Sequence, residues 1–94
     1  MTSKQRAKLR SLASTEPTIL QVGKNDIGES LIAQAADALK KRELIKGCVL
    51  ENSTLDVKTA AQLIAAATGA EVVQTIGRRF VLYKRSEKEP VIEL

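Results

Sequence analysis

Lysine and arginine alternate along the start of the chain. Lys4, Arg6, Lys8 and Arg10 follow one another with no acidic residue before Glu16. Like charges at i,i+4 weaken a helix by roughly a few tenths of a kcal/mol per pair, so a segment shaped for stability alone would mix its signs. What such a cluster does well is attract a polyanion, above all the phosphates of a nucleic acid. The competing explanation is a solvated face whose long stems cover apolar surface. Arg78 and Arg79 form a second cluster beside Gly77, with Lys84 and Arg85 close behind. Adjacent guanidinium groups at a turn can grip a phosphate bidentately. A third candidate is Gly23-Lys24-Asn25-Asp26. Backbone N–H groups at a turn leading into a helix lack partners and can cradle an anion; Gly23 lets it come close and Lys24 adds a point charge. Lys40-Lys41-Arg42 has a simpler account, because cations suit the C-terminal end of a helix.

Other chemistries find little support. The chain has no histidine and one cysteine, so the commonest general base and the commonest metal ligand are missing and no intrachain disulfide can form. Cys48 is expected in a strand core, and Asp26 and Asp56 are explained as helix caps, which leaves no nucleophile–base pair. No catalytic, cofactor or metal site is predicted. No stretch has the length of a membrane span, and the polar, basic segment Met1 to Arg10 is unlike a secretory signal. A cytoplasmic setting is the expectation. The net charge of +4, from 15 basic and 11 acidic residues, is too moderate to decide the partner without the positions.

These groups need a scaffold. Ninety-four residues, 44% of them hydrophobic, suffice for one small domain, expected to be a monomer. Thr2 and Gln5 have capping-box spacing, and Leu9, Leu12 and Ala13 fall on one side of a helix from about Ser3 to Ser14. Thr18 to Val22 reads as a strand. Ile27, Leu31, Ala35 and Leu39 recur at helical spacing in a helix running to about Lys41. Glu43 to Leu50 is the second strand, and Asp56 caps a third helix that Gly69 closes. Val72 to Ile76 and Phe80 to Tyr83 form a hairpin around Gly77-Arg78. The order αβαβαββ predicts an α/β fold: a four-stranded mixed sheet, with early strands parallel and an antiparallel edge, and three helices. Residues 1–85 make the domain, and residues 86–94 a charged, irregular tail. Phe80 and Tyr83 lie three positions apart in one strand and point to opposite faces, so an aromatic platform for stacking bases is not expected. Readout of the backbone by cations is.

Several stretches recur in a known order and spacing: Lys4-Gln5-Arg6 with Leu9, Gln21 to Asn25, Glu43 to Lys46, Thr68-Gly69-Ala70, and Gln74 to Arg78 with Val81 to Lys84. On these, the sequence from about Thr2 to Arg85 resembles the CRM domain (chloroplast RNA splicing and ribosome maturation), in particular its stand-alone bacterial YhbY-like members. The resemblance implies a fold similar to the C-terminal domain of translation initiation factor three. It also implies RNA as the partner, specifically precursors of the large ribosomal subunit, and a binding role without catalysis. The expected contact residues are Lys4, Arg6, Lys8, Arg10, Gly23, Lys24, Asn25, Arg78, Arg79 and Lys84. The family's turn is typically Gly-Lys/Arg-x-Gly, comparable with the phosphate-clamping loop of KH domains. Here Asp26 stands at the second glycine. With Glu29 it is expected to cap the helix and compete with a phosphate for the same amides. A protein adaptor docking on ribosomal proteins through Val91, Ile92 and Leu94 is the alternative role.

Overall fold

The computed structural model describes residues 1–24, 27–86, 90 and 92. Asn25, Asp26, Val91 and Leu94 lie outside the described residues. The elements are α1 (Ser3–Ala13), β1 (Thr18–Val22), α2 (Glu29–Arg42), β2 (Leu44–Val49), α3 (Val57–Thr68), β3 (Glu71–Ile76) and β4 (Arg79–Tyr83). This is the predicted αβαβαββ order. The strands form one sheet in the order β1-β2-β4-β3. β1 and β2 run parallel, joined by the crossover helix that parallel pairing requires, while β2–β4 and β3–β4 are antiparallel.

Strand alternation divides the apolar residues between two faces. On one face Leu20, Val22, Ile45, Phe80 and Leu82 pack against α2 and α3. On the other, Leu44, Val73, Val81 and Tyr83 pack against Leu9 and Ala13 of α1. Phe80 and Tyr83 therefore point to opposite faces, as expected, and both are buried. The Phe80 ring fills the space above Gly47: a Cβ built on Gly47 would lie 2.4 Å from Phe80 Cζ. Only glycine permits that approach.

Two expectations need correction. Glu43 does not begin a strand. It is the C-cap of α2, with φ +61°, and it is fully buried. Its carboxylate accepts the backbone N–H of Ser86 at 2.6 Å and of Ile92 at 2.8 Å, so the tail supplies the partners that a buried charge demands. The N-cap of α2 is Gly28, with no side-chain cap, two residues beyond the Asp26 that the sequence suggested. Asp56 does cap α3 as expected, accepting the Thr59 N–H at 2.7 Å. That bond holds its carboxyl below the usual range. The cap therefore stabilises α3 above the ordinary carboxylate pKa, and the contribution is lost as pH falls through the lowered value.

The first helix is tied to the sheet at both ends. Thr2 and Gln5 form the predicted capping box. Leu12 is 40% exposed, so the apolar stripe is narrower than predicted and reduces to Leu9 and Ala13. Polar anchors make up the difference. Arg6 Nη1 donates to the carbonyls of Val72 at 2.9 Å and Val73 at 2.7 Å, where a register shift in β3 leaves Val73 without a strand partner. At the other end Lys46 Nζ donates to the Ala13 carbonyl at 3.4 Å.

Two outcomes follow for stability. Gly47→Ala overpacks the core against Phe80 and should lower the urea-unfolding free energy by about 1–3 kcal/mol; an unchanged midpoint would contradict the close packing. Arg6→Gln should cost about 2 kcal/mol, because charged hydrogen bonds to two buried-edge carbonyls are lost. Arg10→Gln, on the exposed side of the same helix, should stay within about 0.5 kcal/mol of wild type.

Candidate nucleic-acid interface

The pairing directions bring the C-terminal ends of β1, β2 and β3 and the N-terminal end of β4 to one end of the sheet. Two candidate segments, far apart in sequence, meet there. β2 holds both: Leu50 N–H donates to the Val22 carbonyl at 2.8 Å, next to Gly23-Lys24, and Val49 N–H donates to the Arg78 carbonyl at 2.7 Å. Lys24, Arg78 and Arg79 are all exposed. Arg78 also lies 3.5 Å from Glu51, whose side chain is 88% exposed. An ion pair so open to water is weak and easily exchanged for a phosphate.

The first helix contributes unevenly. Lys4, Lys8 and Arg10 are exposed. Arg6 is the departure, since its guanidinium is engaged on the β3 carbonyls; its evident work is holding the helix. Arg10, one turn on, shares the flank of Arg6. The opposite flank carries Gln5, which with Tyr83 and Glu71 lines a cavity at the far end of the sheet. Arg10 thus stands on the side of α1 that faces Arg79.

Lys84 does not join this group. It follows β4 at the end opposite Arg79, about 17 Å away at roughly 3.4 Å per residue. There its Nζ donates to the Thr68 carbonyl at 2.8 Å and closes the C-terminus of α3. Lys40 and Arg85 line a cavity beside it, and Arg42 pairs with Glu16 at 3.5 Å. The predicted set is therefore divided: Gly23, Lys24, Arg78 and Arg79 together, Arg10 toward them, and Lys84 at the other pole. Asn25 lies outside the described residues.

The exposed surface offers no aromatic for stacking. Phe80 is inaccessible and Tyr83 only 6% exposed. The Tyr83 hydroxyl is buried without a hydrogen-bond partner, and burial first, then the nearby Glu43 charge, raise its pKa. Cys48 is not the core residue expected. It is a free thiol at intermediate exposure, with its side chain on the α1 face of β2. Lys46, on that same face, escaped the sequence reading. Its signal was the alternation Leu44-Lys46-Cys48 against Ile45-Gly47-Val49, which marks a face that is only partly covered. Among the described residues no group of histidine, cysteine and carboxylates is placed to hold a metal, and no helix is long and apolar enough to cross a membrane.

Comparison with known proteins agrees with this architecture. Residues 1–84 match the family model of the CRS1 / YhbY (CRM) domain. The chain is 43% identical over 94 residues to the probable RNA-binding protein YqeI of Bacillus subtilis, covering 100% of this chain and 98% of that protein. It is 32% identical to an RNA-binding protein of Haemophilus influenzae, covering 97% and 92%. The solution structure of hypothetical protein SAV1595 from Staphylococcus aureus superposes with a TM-score of 0.82 at 45% identity, over 100% of this chain and 98% of that one. The chain belongs to the CRS1/YhbY (CRM) domain family.

Proposed function

We propose that this protein binds RNA through its phosphate backbone, without catalysis, and that the RNA is a large-subunit rRNA precursor or a pre-ribosomal particle containing it. The contact surface is the turn at Gly23, Lys24 and Asn25, the hairpin residues Arg78 and Arg79, and Arg10 of α1, with Lys4 and Lys8 on the other flank of that helix as further phosphate contacts. One observation carries this reading: the glycine–lysine turn and the arginine hairpin, more than fifty residues apart in sequence, flank the same end of β2. The names of the relatives support RNA as the partner. The link to ribosome assembly rests on the family resemblance.

Local geometry at the turn favours an anion. A Cβ on Gly23 would meet Leu50 Cδ1 at 3.6 Å and Asn52 Oδ1 at 3.7 Å. These are ordinary contacts, so the fold does not require glycine there and its value lies in what approaches from outside. The N-cap of α2, Gly28, brings no side chain to the first amides of the helix, and amides at a helix start are donors suited to an anion. Glu29 in the first turn and Asp26 beside the turn oppose a phosphate by charge. Of the residues named for the adaptor role, Ile92 has its N–H held by Glu43 and packs beside the layer under α1, while Val91 and Leu94 lie outside the described residues.

Affinity should fall with salt, at a log–log slope of roughly −0.7 to −0.9 per phosphate neutralised. Replacing Lys4, Lys8 and Arg10 together by Gln should flatten that slope for every RNA tested; a binding curve indifferent to salt would reject the mechanism. Asp26→Gly should tighten RNA binding by removing a like charge. Unchanged or weaker affinity would show that Asp26 does not oppose the phosphate.

A further inference from the structure

The first helix covers only part of its face of the sheet. α1 packs over β2, β3 and β4, and its buried contacts, Leu9 and Ala13, meet Leu44, Val73, Val81 and Tyr83. Beyond them, toward the hairpin end, one row of side chains crosses all the strands on this face. Ile76 pairs with Arg79, Arg79 with Cys48, and Cys48 with Gln21. Their orientation is fixed by their neighbours: Leu20, Val22, Val49 and Phe80 all point into the opposite core. The row is open to solvent. Gln21 and Arg79 are exposed, Cys48 is partly exposed, and Ile76 is 64% exposed, the most open large apolar side chain among the described residues.

The row spans three interstrand gaps, or about 14 Å at roughly 4.8 Å each. α1, with a diameter of about 10–12 Å, forms a wall on one side, and Arg10 lies on the flank of that wall that faces the row. Lys24 and Arg78 stand at the other side, at the sheet end. Lys46 lies one row back on the same face, paired with Thr18 and Val81. Neither cross-strand row contains a carboxylate. The arrangement is a shallow trough with cations on its rims and a floor of one amide, one guanidinium and two apolar groups.

We propose that this trough is a second, base-directed part of the interface, which seats a few unpaired bases of single-stranded RNA. The proposal rests on the RNA-binding reading above and names its substrate class. The rim cations hold the phosphates, while the floor meets the bases. The Gln21 amide offers a donor and an acceptor to a base edge, the Arg79 guanidinium reads an edge or lies flat on a base, and Ile76 supplies apolar contact. A duplex has its Watson–Crick edges paired and its base faces stacked, so it cannot lay single bases on a floor beside a helical wall. Charge selects this occupant over a protein: Lys24, Arg78 and Arg79 are exposed around one exposed isoleucine, and the Arg78–Glu51 pair, 3.5 Å apart, is open enough to water to be exchanged for a phosphate.

Cys48 is the only cysteine of the chain and sits in the floor, so it reports occupancy without any substitution. Its alkylation by a maleimide should slow at least about fivefold when mixed-sequence single-stranded oligoribonucleotides saturate the protein, and should be little affected by a perfect duplex of equal length. Gln21→Ala and Ile76→Ser, both at exposed positions, should each weaken single-strand binding about fivefold or more while leaving the salt slope unchanged. Full alkylation rates in the RNA complex, equal protection by the duplex, or wild-type binding by both variants would each overturn the trough. So would protection by purified ribosomal proteins but not by RNA, which would make the face a protein-docking surface. Lys24→Gln with Arg10→Gln separates the two readings. If that variant alone weakens binding, backbone contact stands and the trough falls; if it too binds as wild type, the RNA-binding surface itself is wrong.

Discussion

The position of the first helix depends on one guanidinium. Two buried apolar residues, Leu9 and Ala13, give α1 too narrow a stripe to fix its angle on the sheet. Arg6 closes the gap by donating to the carbonyls of Val72 and Val73 at the β3 bulge. The bulge leaves a strand residue unpaired, and a charged donor is the strongest partner it can find. With Lys46 on the carbonyl at the other end of the helix, α1 is held over β2, β3 and β4. The row Gln21, Cys48, Arg79 and Ile76 is left uncovered. A helix displaced toward the hairpin would have buried that row and hidden the cations at the sheet end.

Charge is sorted along the strands as a result. Lys24, Arg78 and Arg79 gather at one end, where strand ends and a turn expose them. At the other end lie the C-termini of α2 and α3, whose partial negative charge attracts cations. Lys84 is used there on the Thr68 carbonyl. Ser86 and Ile92 also belong to this end, because the buried Glu43 carboxylate takes their amides. Basic residues at the two poles thus do different physical work: Lys84 satisfies a helix C-terminal carbonyl and Arg42 pairs with Glu16, whereas those at the hairpin end face solvent.

Element order and sheet direction were legible in the sequence because they follow from periodicity and short connections: a stripe every four residues in α2, alternation in the strands, and two residues between β3 and β4. Thr2, Asp56 and Gly69 were legible as caps because their chemistry is local. Glu43 was not. Its role comes from two amides more than forty residues away, and a carboxylate after three cations reads as ordinary surface. Arg6 was equally opaque: nothing in Lys4-Gln5-Arg6-Ala7-Lys8 distinguishes the arginine that turns inward from its outward neighbours, since the distinction lies in a bulge on β3. Cys48 was assigned to a core by its apolar neighbours, but the strand's two faces are covered unequally. The candidate contacts Lys24, Arg78 and Arg79 could be named from sequence; how near they come depends on the strand order, which puts β4 rather than β3 beside β2 and which periodicity does not give.

The most direct test of the interface is a backbone-amide NMR titration of the full chain with a large-subunit rRNA fragment at two salt concentrations. Shifts should concentrate at Lys24, Arg78 and Arg79 and along the exposed side of α1, diminish at the higher salt, and leave the amides around Thr68, Lys84 and Lys40 nearly unchanged. Shifts confined to that opposite pole, or none at saturating RNA, would contradict the account.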